Sequence, residues 1–204
     1  MAADASNEKT ISDRLDQLAE NAATGAVSLD WIMGQLHERA FGLFLLVLAL
    51  PCCIPFLYGI PQIVSLPLMF VSVQILLGRQ TPWLPERLAA RTVSADTLRN
   101  LADRAAPWLR RVEAFSRPRQ AHWTRAPLDR IVGLALVVFS ASILVPLPGT
   151  NTVPGIAVVL VSMGLLQRDG VLVLLGMLLG TAWIASLIFA GATLISLLKG
   201  WMGV

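Results

Sequence analysis

Side chains able to carry acid, base, nucleophilic or metal chemistry are few in this chain, and they lie outside its apolar stretches. The two histidines, His37 and His122, are far apart in sequence. His37-Glu38 opens like a zinc-protease helix motif, but Phe41 stands where the second histidine ligand is required, so the two-ligand face is missing. The only cysteines, Cys52 and Cys53, are adjacent within an apolar run and read as small buried hydrophobes rather than a disulfide or metal pair. No Asp, Glu, Lys, Arg or His occurs from Ala40 to Gly78, from Ile131 to Gln167 or from Gly170 to Leu198. A hydrolase or transferase needs carboxylates, a nucleophile with its base, or a metal, and a proton relay inside a bilayer needs ionisable groups. The expectation is therefore no catalytic residue, no cofactor and no metal, with Glu38-Arg39 acting as an interfacial anchor.

What remains polar within the apolar runs gathers at two breaks. Tyr58, Gln62 and Ser65 mark the first, with Pro55 and Gly59; Thr150, Asn151 and Thr152 mark the second, with Pro146 and Gly149. A broken helix leaves backbone groups that lipid cannot satisfy, so paired breaks point to a polar pocket of the kind found in transporters. The competing reading is that these side chains only cap helix ends, with Thr150 or Asn151 accepting backbone N–H bonds. Ser72, Gln74 and Ser162, on the returning arms, are expected to bond between helices.

The elements that would position these residues are helical and membrane-embedded. Hydrophobic residues make up 55% of the chain and charged residues 14%, too apolar for an ordinary soluble domain. Residues 1–21 are polar and mostly acidic, unlike a secretory leader, so the N-terminus is expected to be retained. Residues 1–39 offer two short amphipathic helices, capped by Ser12 and Ser28. The first apolar run, residues 40–78, cannot be one helix because Pro51, Pro55, Pro61 and Pro67 interrupt it. It divides into arms of about 26 Å, Phe41 to Leu57 and Ile60 to Leu77, short for a hydrocarbon core of about 30 Å. They form two short spans or a re-entrant hairpin.

Residues 131–168 repeat the first run. Arg39 precedes Pro55 by the same sixteen residues that separate Arg130 from Pro146, and Gly42 and Gly133 each follow their arginine by three. Val71-Ser72 matches Val161-Ser162, and Leu76-Leu77-Gly78-Arg79 matches Leu165-Leu166-Gln167-Arg168. Matched Arg, Gly, Pro and Ser in register indicate duplication, with a pseudo-two-fold relation between the copies. The second copy's arms are Ile131 to Leu147 and Val153 to Leu166. Residues 169–204 contain the clearest span, Val171 to Leu198, in which Gly176 and Gly180 would let another helix approach closely.

Between the copies, residues 79–130 hold eleven arginines against Glu86, Asp96, Asp103, Glu113 and Asp129, which places this segment, with residues 1–39, in the cytoplasm. From Ser94 onward, Leu98, Leu101, Ala105, Trp108, Val112 and Phe115 follow helical spacing while Arg99, Arg104, Arg110 and Arg111 take other faces. A basic amphipathic helix of this kind lies on an anionic inner leaflet, with Arg39, Trp83, Trp108 and Trp123 at headgroup depth. The expected partners are therefore membrane lipid and a second copy of the chain, and not nucleic acid.

Several segments, in this order, resemble the ExoD family of bacterial exopolysaccharide-synthesis membrane proteins. They are Leu36-His37-Glu38-Arg39-Ala40-Phe41-Gly42, the proline-broken first hairpin, Gly78-Arg79-Gln80-Thr81-Pro82-Trp83-Leu84-Pro85, Pro107-Trp108-Leu109-Arg110-Arg111 and Val145-Pro146-Leu147-Pro148-Gly149-Thr150-Asn151. The likeness runs from about Ile11 to Leu198, and Tyr58-Gly59-Ile60-Pro61-Gln62 departs from the family-like turn of the second copy. The resemblance implies a multi-pass bacterial inner-membrane protein needed for exopolysaccharide synthesis, with polysaccharide-synthesis proteins as its expected partners, and brings no catalytic residue. The reading is an all-helical membrane fold whose role is a non-enzymatic accessory or scaffold of envelope polysaccharide assembly. The alternative is a small transporter or channel for ions, lipid or a lipid-linked intermediate.

Overall fold

The computed structural model describes residues 27–28, 33–34, 36, 38–55, 57, 59–86, 92–93, 128–145 and 150–202. Its described elements are helical apart from one short pairing, in which β1 (Val27–Ser28) runs antiparallel to β2 (Thr92–Val93). Ser28 is extended in this pairing, and residues 29–32, where the helix it was expected to cap would begin, lie outside the described residues. Helical residues appear by Met33. The first amphipathic helix of residues 1–26 and the basic helix from Ser94 to Phe115 lie outside the described residues.

Helix α1 (Glu38–Ala49) ends where Pro51 cannot donate to the helical ladder, and the chain tightens into a 3-10 turn, Leu50–Cys53. The first arm is accordingly shorter than the expected Phe41 to Leu57. After the break, Gly59 at φ +81° turns the chain and Pro61 sits in the first turn of α2 (Ile60–Leu76), where its missing N–H costs nothing. Pro67 is carried inside α2 without ending it. Helix α3 (Leu128–Leu144) and helix α4 (Thr152–Gln167) form the second hairpin, and α5 (Gly170–Met202) follows after a two-residue turn.

The hairpins exchange partners. α1 packs mainly on α4 and α2 on α3, more extensively than either packs on the other arm of its own hairpin, and α5 lies on α4 and α3. Close approach sets both crossings. A Cβ on Gly42 would stand 2.7 Å from the Leu166 amide nitrogen, and one on Gly133 would collide with the Leu76 backbone. Phe41, Leu45, Leu68, Val71, Val132, Leu136, Val158 and Val161 fill the core between the four arms.

The returning arms end alike. Gly78 has φ +74° and Arg168 φ +55°, the left-handed turn that lets a following N–H reach back to the helix. The Arg79 amide accordingly donates to the Gln74 carbonyl (3.1 Å) and the Asp169 amide to the Gly164 carbonyl (2.9 Å).

Several serines of the hairpins are buried with the apolar core, while many apolar side chains face outward. Ser65, Ser72, Ser140 and Ser162 are buried, whereas Ile63, Phe70, Leu134 and Leu175 are exposed. Ser72 and Ser162 do not bond between helices as expected: each hydroxyl donates to the carbonyl four residues earlier, Leu68 and Val158 respectively. In a tight helix crossing the nearest free acceptor is the helix's own carbonyl, which a serine reaches without any partner. Gln74 turns to the chain beyond its helix instead. Its Nε2 donates to the Trp83 carbonyl (3.2 Å), and its Oε1 accepts from the Trp83 amide (2.6 Å).

Candidate functional site

The antiparallel packing brings the two breaks to one end of the bundle. The first residues of α1 lie by the end of α4, through Gly42 and Leu166; the turn after α1 lies by the start of α4, where a Cβ on Gly155 would stand 2.9 Å from the Cys52 carbonyl carbon. Gly133 on Leu76 sets α2 and α3 antiparallel in the same sense. The starts of α2 and α4 and the ends of α1 and α3 therefore share one end, and the arginine-flanked ends share the other.

α5 adds a third wall. Gly176 packs on Ala157 and Val161 of α4, and Gly180 sits on the Phe139 ring of α3, so both glycines face the chain's own helices. One turn beyond that second contact stand Ser142 on α3 and Trp183 on α5, each three residues or about 4.5 Å farther toward the breaks. Asn151, at the start of α4, reaches the same level.

Most buried polar atoms in a folded protein have a hydrogen-bond partner, so exceptions call for an explanation. Toward the break end, Gln62 Oε1, Ser142 Oγ, Asn151 Oδ1 and Trp183 Nε1 are buried without a partner among the described residues, and Gln167 Nε2 is another at the opposite end. Asn151 is only 7% exposed, and although it occupies the N-cap position its side chain makes no cap bond. The capping reading thus does not account for it. Ser65, by contrast, is satisfied by donating to the Gln62 carbonyl (2.7 Å). Pro55 and Gly59 are exposed at the tip, and Thr150 and Thr152 are half-buried beside Asn151. Tyr58, Pro146 and Gly149 lie outside the described residues.

Ser142 and Trp183 were not among the residues singled out from sequence. Ser142 lies four residues before Pro146, a spacing that could have flagged it. A lone tryptophan in an apolar helix carries no such signal.

At the opposite end, Arg39 is buried at 6% exposure, where α1 packs on α4. Trp83 is half-exposed, its backbone held by Gln74 and its ring tilted against Phe70 with centroids 6.0 Å apart. Arg99, Arg104, Trp108, Arg110, Arg111 and Trp123 lie outside the described residues. Cys52 and Cys53 are free thiols donating to the carbonyls of Leu48 and Ala49. Among the described residues no three His, Cys, Asp or Glu side chains come together.

The family model for "Exopolysaccharide synthesis, ExoD" matches residues 11–189. Over 172 residues the chain is 30% identical to Protein ExoD of Rhizobium meliloti, covering 82% of this chain and 71% of that protein. It is 29% identical over 187 residues to the uncharacterized protein slr1875 of Synechocystis sp., covering 87% of this chain and 88% of the other. No solved structure matches. With a family match across most of its length, the chain belongs to the ExoD exopolysaccharide-synthesis family.

Proposed function

We propose that this protein is an inner-membrane component of exopolysaccharide synthesis that assembles or positions other parts of the machinery without catalysing a reaction itself. The observation that carries the membrane placement is α5. From Gly170 to Lys199 it is long and apolar enough to cross a bilayer, and its surface beyond the bundle is open on all sides, with Phe189 at 75% and Trp201 at 88% exposure. Water would not tolerate that surface; acyl chains would. Family membership supports the process, and the absence of charge from every apolar run supports a non-catalytic role.

The same helix supports re-entrant hairpins. Its last contact with the core is near Ile184, about 21 Å from Gly170, and about 27 Å of helix continues past the tips. If α5 spans the bilayer, the tips stop near its middle. The exchanged packing, the reciprocal glycine contacts and the shared left-handed helix ends support descent of residues 39–79 and 130–168 from one duplicated unit. The arginine-rich segment favours a cytoplasmic position for the hairpin bases, beside anionic lipid.

Deleting the gene should lower exopolysaccharide yield, and affinity purification of the complemented protein should recover polysaccharide-synthesis proteins, with or without a second copy of the chain. Normal yield in the deletion strain would remove the functional reading. A second reading, a small transporter for ions, lipid or a lipid-linked intermediate, draws on the unpartnered polar atoms at the breaks; solute flux in liposomes carrying only this protein would favour it over the scaffold.

A further inference from the structure

We infer that the base of the α2–α3 pair binds an anionic phospholipid, its phosphate between Arg79 and Arg130 and its acyl chains along the outer faces of the two helices. The inference rests on the membrane placement proposed above. Packing between the hairpins brings these two arginines together. Gly133 lies on the Leu76 backbone, so the start of α3 meets the end of α2, and the Arg130 Nε comes within 3.3 Å of where a Cβ on Gly78 would stand. Arg79 is the residue after Gly78, and both arginines are exposed. Two guanidinium groups at one helix junction repel each other unless an anion lies between them.

Local carboxylates do not supply that anion. Among the described residues neither Arg79 nor Arg130 makes an ion pair. Asp129 serves the backbone at the start of α3, its Oδ1 accepting from the Arg130 amide (2.8 Å). The α1–α4 crossing differs: there Asp169, only 4% exposed, follows Arg168, whereas Gln80 follows Arg79. Phosphate oxygens match a pair of guanidinium forks, which bind them through charge-assisted hydrogen bonds.

The surface beside the arginines selects a lipid over a free anion. Leu66, Phe70 and Leu77 form an exposed apolar stripe along α2, and Ile131, Leu134 and Val138 form another along α3, each at helical spacing. Both stripes reach the base, where Leu77 is two residues from Arg79 and Ile131 adjoins Arg130. Trp83, half-exposed with its ring against Phe70, stands on the α2 stripe as an indole at headgroup depth does. Positive charge at the end of two apolar stripes fits a headgroup with its chains attached. A zwitterionic lipid fits less well, because its own ammonium competes with the arginines for the phosphate.

The test uses the full-length protein reconstituted in phosphatidylcholine vesicles with a trace of spin-labelled phosphatidylglycerol or spin-labelled phosphatidylcholine, and reads the motionally restricted fraction of each label. Wild type should favour phosphatidylglycerol by about fivefold or more, and Arg79→Gln/Arg130→Gln should lose most of that preference. Arg110→Gln/Arg111→Gln removes the same two charges from the arginine-rich segment and should lose less. Equal loss in the two double variants would assign the preference to diffuse charge attraction and overturn the site. Release of the labelled lipid by inorganic phosphate, but not by chloride at equal ionic strength, would overturn it in favour of a free-phosphate site. Protein that floats with the vesicles yet shows no preference overturns this inference alone, whereas protein that fails to float with them overturns the membrane placement as well.

Discussion

Gly42 of α1 lies directly against Leu166 of α4: a Cβ there would stand 2.7 Å from the Leu166 nitrogen and 2.8 Å from the Ser162 carbonyl oxygen. Backbone meets backbone at this crossing, so no side-chain rotation can relieve an added atom. Gly42→Ala should cost about 1–3 kcal/mol through forced separation of the helices. Gly191, with nothing within 4 Å, is the control; Gly191→Ala should raise helix stability by up to about 1 kcal/mol. Thermal unfolding of the two variants in the same detergent compares them directly, and equal melting temperatures would contradict the crossing.

Gly78 ends α2 with φ +74°, and the Arg130 guanidinium Nε stands 3.3 Å from where its Cβ would be. Gly78→Ala carries both the left-handed strain and a displaced arginine, about 1–2 kcal/mol in all. Its melting temperature should fall, and Gly78→Asn, whose side chain tolerates the left-handed region better, should lose less.

Gln74 holds the chain after α2 through both sides of the Trp83 peptide, accepting at 2.6 Å and donating at 3.2 Å. Gln74→Leu removes both bonds from a buried position and should cost about 1–3 kcal/mol. The distinguishing readout is local: amide exchange at Trp83 should accelerate markedly while the α1–α4 core stays protected.

Ser186 lies on the exposed part of α5 just past the hairpin tips, and Ser196 lies three residues from Lys199. If α5 spans a bilayer, Ser186→Arg places a charge near mid-depth and should oppose insertion by about 2.5–3.5 kcal/mol, while an arginine at position 196 can extend to the interface at lower cost. The carbonate-resistant membrane fraction of each variant measures the difference. Equal fractions would argue against a spanning α5.

The start of α2 at Gly59 and Pro61 and the extent of α5 were legible because their causes are local, whereas α1 ends earlier than expected, where Pro51 lacks a donor. The position of Asn151 at a helix start was legible as well, since it follows the proline-rich break in an apolar run. The crossing of α3 and α5 at Phe139 and Gly180 was not legible.

By itself, the sequence determined where helices form, where they break and that no charge enters the apolar runs, because proline, glycine and hydropathy act within a few residues of where they occur. Only the tertiary structure decided that α1 seeks α4 and α2 seeks α3. These arms are apolar around most of their circumference, so their hydrophobic pattern names no preferred face, and partner choice falls to where two backbones can approach. Gly42 and Gly133 permit that approach, but a glycine records only what is missing from a side chain, not the neighbour that fills the space. Burial of Arg39 and return of the Ser72 and Ser162 hydroxyls to their own helices follow from that choice, through contacts between residues far apart in the chain.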